Sequence, residues 1–153
     1  MSEPSSKTRF AAASTPSTRA WVGLMRASRR IADSIEAELK AAGLPSLDWY
    51  DVLWELERAD GSGLRQFELQ PRLLLAQYNV SRLLARMEKA ELVECADCKE
   101  DGRARVVSLT KAGRAMRKRM WVVYGRAIES HFSTSLADGE LHVLAEILGK
   151  LGD

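Results

Sequence analysis

The sequence predicts a mainly α fold with a small β-wing: a winged helix-turn-helix plus dimerisation helices from both termini. Three observations lead there. Residues 63–113 read as a short helix, a turn, a second helix and a basic hairpin. The second helix, expected over 77–91, has an apolar face and a polar basic face. Long apolar-striped helices flank this unit, with more apolar surface than one small reading domain buries.

The second helix carries the strongest pattern. Val80, Leu83, Leu84 and Met87 fall at i, i+3, i+4 and i+7, one stripe facing a core. Tyr78, Ser81, Arg82, Ala85, Arg86 and Lys89 fall opposite. Short polar groups near the helix start suit base edges, and cations along its length suit phosphates. The alternative for Arg82 and Arg86 is an ordinary solvated face.

The other elements follow in order. Trp21, Leu24, Met25, Ile31, Ile35 and Leu39 predict a helix over 18–42, with Gly43 as its stop. Ser46 or Asp48 is expected to cap a helix reaching residue 59. Residues 60–63 form a loop, and a short helix is expected over 67–74. Strands are expected over 92–96 and 105–110, joined by a polar loop too long for a two-residue hairpin, as a projecting wing requires. Thr110 is placed to cap a helix over 111–132 with the stripe Met116, Met120, Val123 and Ala127. A loop over 135–139 precedes a last helix striped by Leu141, Leu144, Ile147, Leu148 and Leu151. The expected organisation is a disordered tail at 1–18, a helical dimerisation region at 19–45 and 111–153, and a reading region at 46–110.

Charge and composition narrow the function. Net charge is only +2, but residues 72–119 hold twelve Lys/Arg against six Asp/Glu, so the middle is basic and the ends acidic. That asymmetry fits a polyanion meeting the middle alone. The polar N-terminus lacks a signal-like apolar block, and no apolar run is long enough for a bilayer, so a cytoplasmic protein with no membrane partner is expected. The chain carries no phosphate loop, nucleophile set or metal-ligand set, so no catalytic residue, metal or cofactor is expected. Asp48, Asp51 and Glu55 share a helix face read as solvated or capping.

The segments 47–56 (LDWYDVLWEL), 72–92 (RLLLAQYNVSRLLARMEKAEL) and 100–113 (EDGRARVVSLTKAG) resemble the MarR family of bacterial transcriptional regulators. The resemblance is most specific in Val80, Ser81, Arg82 and Leu83, in Asp101 and Arg103, and in Leu109, Thr110 and Gly113. It implies a homodimer held by the terminal helices, a double-stranded DNA operator as partner, and release by small molecules or oxidants. It also implies that wing residue Arg103 reaches toward the minor groove, oriented by Asp101.

This chain departs from the family pattern at three places. Phe67 stands where the short helix normally has a polar cap. Pro71 lies one turn in. Gln77 and Asn79, suited to adenine, stand where small and basic residues are frequent.

The DNA-contact set is therefore Gln77, Tyr78, Asn79, Ser81, Arg82, Arg86, Lys99, Asp101, Arg103 and Arg105. Trp21, Trp49, Tyr50, Trp54, Trp121 and Tyr124 are expected to line a pocket for an aromatic effector, with Arg19, Arg26 or Arg29 beside its carboxylate. Cys95 and Cys98 are either incidental or a thiol switch, with Lys99 and Arg103 nearby to favour thiolate. The leading function is a dimeric DNA-binding regulator, a repressor released by a small aromatic effector. The alternatives are a redox-sensing regulator using Cys95 and Cys98, and a helical interaction dimer that does not bind DNA.

Overall fold

The computed structural model describes residues 15–59, 62–74, 79–97 and 105–152, with only the backbone of Asp97. Helix α1 (Pro16–Ala41) and helix α2 (Leu47–Arg58) are followed by strand β1 (Leu64–Arg65), a single-turn helix α3 (Gln66–Leu69) and a 3₁₀ turn (Gln70–Arg72). Helix α4 (Val80–Lys89), strands β2 (Val93–Asp97) and β3 (Arg105–Leu109), helix α5 (Lys111–His131), a 3₁₀ turn (Ser133–Ser135) and helix α6 (Asp138–Gly149) complete the chain.

Local chemistry sets the element ends. Helix α1 begins at Pro16, two residues earlier than expected, because a proline in the first turn gives up an N–H that has no helical partner. Thr15 caps it by accepting from the Thr18 N–H at 3.3 Å. Its end is a Schellman turn: Gly43 adopts φ +69, its N–H reaches the Lys40 carbonyl, and the Leu44 N–H reaches that of Leu39. Helix α2 is capped from a distance. Ser46 makes no side-chain cap bond; Glu36 of α1 accepts the Leu47 N–H at 2.8 Å, and Asp48 accepts that of Trp49 at 3.0 Å.

The short helix differs most from expectation. It covers Gln66–Leu69 rather than 67–74, so Arg65, not Phe67, is its N-cap residue. Pro71 has no N–H to donate and its ring crowds the carbonyl four residues back, so the chain tightens into 3₁₀ geometry and leaves the helix. The last helix opens at Asp138, drawing Gly139 out of the expected loop. There Glu140 accepts the Ala137 N–H at 3.0 Å.

The sheet is antiparallel in the order β1-β3-β2, with Leu64 opposite Val107 and Cys95 opposite Val107 on the other side. The two-residue β1 has no sequence signature of its own; its partner creates it. Val107, Val93 and Leu64 turn inward onto Val52, Leu53 and Leu56 of α2 and Leu83 and Met87 of α4, forming the core. Burying one such side chain contributes roughly 1.5–3 kcal/mol.

Helix α5 joins the core through Met120 and Ala127, both fully buried. Thr110 and Gly113 fix its start. The Thr110 hydroxyl lies 2.7 Å from the Glu91 carbonyl and 2.9 Å from that of Leu92, and accepts the Gly113 N–H at 2.9 Å. A Cβ on Gly113 would collide with the Leu92 carbonyl oxygen. The Leu-Thr-x-x-Gly motif thus welds the exit of α4 to the start of α5.

Candidate nucleic-acid interface

Helix α4 is amphipathic as its sequence requires. Val80, Leu83, Leu84 and Met87 are buried, while Ser81, Arg82, Ala85, Arg86 and Lys89 are exposed on the opposite side. The exposed face places two guanidinium groups one turn apart with an ammonium beyond them. A hydroxyl lies at the N-terminal end. That is a surface for a polyanion, with the hydrogen-bonding group where a helix enters a groove.

The helix is shorter than 77–91. Asn79 is its N-cap, with Oδ1 accepting the Arg82 N–H at 3.0 Å. Pairing bidentately with adenine needs that oxygen, so capping competes with the expected role. Gln77, Tyr78, Cys98, Lys99, Asp101 and Arg103 lie outside the described residues. Arg105 opens β3, exposed, at the base of the wing.

At its C-terminus α4 ends in a second Schellman turn. The Glu91 N–H reaches the Glu88 carbonyl at 2.9 Å and the Leu92 N–H that of Met87 at 3.0 Å. Glu91 stands at φ +62, the left-handed position where glycine is usual.

Two contacts at the site escaped sequence reasoning. Gln66 at the start of α3 donates from Nε2 to Ser81 Oγ at 2.6 Å. Asp51 of α2 is buried, with Oδ2 accepting the Leu74 N–H at 2.5 Å. The face shared by Asp48, Asp51 and Glu55 is therefore not solvated: Asp51 and Glu55 are both buried, and Glu55 pairs with Arg58 at 3.2 Å. The one available signal was the absence of a basic partner at helical spacing from Asp51, which invites a backbone donor instead.

The six aromatic residues do not meet at one place. Tyr50, Trp121 and Tyr124 form a cluster, with centroids 6.1 Å apart for Tyr50 and Trp121, 4.9 Å for Tyr50 and Tyr124, and 5.6 Å for Trp121 and Tyr124. Burial, then Tyr50 and Asp51, push the Tyr124 phenol above its ordinary value, so it remains a hydrogen-bond donor. Trp49 is half-buried against the core. Trp54 is turned outward under Arg117, whose guanidinium lies 5.4 Å from the ring centre and pairs with Glu57.

Trp21 is elsewhere, because its helical position is four turns from the buried end of α1. It borders an apolar groove of about 640 Å³ between α1 and α6, lined also by Leu24, Phe132, Ile147, Leu148 and Leu151. On its other side a second groove of about 650 Å³ runs along α1 past Arg26 and Arg29. Those arginines therefore stand with Trp21, not with the Tyr50 cluster.

Cys95 is a half-buried free thiol facing α4. Burial, the hydrogen bond to Glu88 and the Glu88 charge push its pKa up to about 11, against the opposing pull of Arg105. At Cys95 itself burial, then the acid on α4, act against thiolate, and strand periodicity reveals neither; Lys99 and Arg103, the cations expected to favour it, lie outside the described residues. Among the described residues no group of three His, Cys, Asp or Glu could hold a metal, and no helix is long and apolar enough to cross a membrane.

The MarR family profile matches residues 42–104. The HTH-type transcriptional regulator PrsX of Escherichia coli is 34% identical over 89 residues, covering 58% of this chain and 53% of that protein. The chain spans about half the length of the curated relatives it matches. Among solved structures, AbsC, a MarR family transcriptional regulator from Streptomyces coelicolor, superposes with TM-score 0.76 at 25% identity, covering 90% of this chain and 93% of that one. Sco3205, a MarR family regulator of the same organism solved in complex with DNA, superposes with TM-score 0.78 at 22% identity, covering 90% and 86%, and shares the winged-helix fold.

Proposed function

We propose that this chain is a regulator of the MarR family, whose profile matches residues 42–104, and that it acts as a dimer reading a roughly palindromic operator through α4. The family is one of transcriptional regulators, not enzymes. One observation carries the proposal: Ser81, Arg82, Arg86 and Lys89 share the exposed face of a helix whose other face is wholly buried. Arg105 opens β3, and the wing contacts expected beyond it are Lys99, read from the cations of the loop, and Asp101 and Arg103, carried over by resemblance. Gln77 and Tyr78, outside the described residues, and Asn79 beside its capping role are the further contacts proposed at the start of α4.

The apolar groove between α1 and α6 favours the homodimer. Trp21 is 61% exposed, Leu151 70% and Ile147 49%, a surface that a second copy would cover. Two heads on one frame then meet successive grooves of a duplex. The default consequence is repression in the cytoplasm. A small aromatic effector seated near Tyr50, Trp121 and Tyr124 would relieve it by changing how the heads are held.

The test is binding to a pool of genomic duplexes at several salt concentrations, repeated with aromatic acids. Salt-dependent enrichment of a few palindromic fragments, weakened by one acid, is expected. Equal recovery of all fragments at every salt concentration would leave the non-binding helical dimer as the reading. The redox alternative has less in its favour, since burial and then Glu88 push the Cys95 thiol up, away from thiolate.

A further inference from the structure

We propose that Gln66 fixes the hydrogen-bonding polarity of Ser81 and thereby selects which base edge α4 accepts. The inference rests on the reading of α4 as the DNA-contacting helix. Gln66 lies on α3, fifteen positions before Ser81, and its Nε2 donates to Ser81 Oγ at 2.6 Å. Ser81 is exposed in the first turn of α4, where a recognition helix meets bases.

A serine hydroxyl has one proton and two acceptor sites. Left alone it rotates, so it donates to one base and accepts from another with little discrimination. An amide N–H that occupies the oxygen's lone pair leaves the proton to point elsewhere. Ser81 then presents a donor to the groove. Donors suit purine N7, guanine O6 and thymine O4; they reject the amino groups of adenine and cytosine at the same place. Gln66 need not touch DNA to do this. It is a positioning residue acting through Ser81.

The bond also anchors α3 to α4, so the polarity is set by tertiary structure before DNA arrives. No reorganisation of the hydroxyl is required on binding, which keeps the discrimination in the affinity.

Two variants separate polarity from simple contact. In Gln66→Met the donor is gone and the Ser81 hydroxyl is free to rotate. In Gln66→Glu a carboxylate can only accept, so the Ser81 proton turns toward it and lone pairs face the groove. Each is compared with wild type by sequencing duplexes recovered from a randomised pool at fixed salt, alone and in a Ser81→Ala background. For Gln66→Met, preference at one position of each half-site falls about three- to tenfold. For Gln66→Glu, it shifts toward bases offering an amino group, over a uniform loss from the added charge. In the Ser81→Ala background both effects vanish.

Unchanged preference in both Gln66 variants overturns the inference and leaves the DNA-reading proposal standing. Gln66 effects that persist at full size without the Ser81 hydroxyl also overturn it, because Gln66 would then contact the base itself. If the wild type recovers no duplex at low salt, the reading of α4 fails first and this inference falls with it.

Discussion

The carboxylate of Asp51 accepts the backbone N–H of Leu74 across 2.5 Å, although Asp51 is buried and Leu74 is 82% exposed. The bond ties α2 to the chain just after the 3₁₀ turn at Gln70–Arg72. A buried charge with a backbone donor fixes Leu74 against α2.

Removing the acceptor should loosen it. Asp51→Ala is expected to cost about 2 kcal/mol, the range for hydrogen bonds to charged groups, and to weaken duplex binding. Asp51→Asn keeps an acceptor and should cost less than half as much. Urea denaturation and duplex titration measure both. An alanine variant matching wild type in both assays would refute the tether.

The exposed face of α4 makes a different kind of forecast. Arg82→Ala and Arg86→Ala should leave the melting temperature near wild type, since both side chains are solvated. Each should lower duplex affinity. Where the lost partner is a phosphate, the slope of log K against log salt falls by about 1. Anisotropy titrations between low and moderate salt provide the slopes. Two variants with wild-type affinity and slope would remove α4 from the interface.

The junction of α4 and α5 predicts opposite effects at two positions. Gly113→Ala drives a methyl into the Leu92 carbonyl and should destabilise by about 3 kcal/mol or more. Glu91→Gly relieves a left-handed non-glycine residue and should stabilise by about 1 kcal/mol. The urea midpoint of each variant decides. A neutral Gly113→Ala would mean that the junction yields more easily than its packing implies.

Cys95 should be a poor nucleophile near neutrality. Its folded pKa is raised from 9.0 to about 11, so the folded state holds its proton longer than the unfolded state does. The stabilisation linked to that proton is complete below pH 9 and is lost as pH climbs toward 11. Alkylation of Cys95 by iodoacetamide, followed by mass spectrometry, should rise with a midpoint near 11 in the native protein. Unfolding should bring it back to about 9. A native midpoint at or below 9 would restore the case for a thiol switch.

The dimer proposal is tested on α6. Leu148→Glu places a charge in the groove beside Trp21 and Ile147. Light scattering should find a mass halved relative to wild type at micromolar concentration, and duplex affinity should fall with it. A variant of unchanged mass places any partner surface elsewhere.

Much of the architecture was legible because helical periodicity reports burial directly. Spacing alone points Val80, Leu83, Leu84 and Met87 inward, and all are buried; Thr110 stands where a cap is expected and performs it. Boundaries were less legible where the deciding group is distant. Glu36 caps α2 from eleven residues away, and Pro71 ends α3 at a point that propensity alone did not locate. The aromatic set split because composition counts rings but not their direction: Trp21 faces the α1–α6 groove, and Trp54 lies under Arg117.

Local order in this chain follows from the sequence by itself: two-faced helices, a basic exposed face on α4 and a strand pair are consequences of residue spacing, which needs no knowledge of neighbours. Only the tertiary structure decided who meets whom. Asp51 finding Leu74, Gln66 finding Ser81 and Glu88 meeting Cys95 are contacts between different elements. The reason is physical: hydrogen bonding and desolvation depend on distances of a few ångströms, and the packing of helices on the sheet, not the order of residues along the chain, sets those distances.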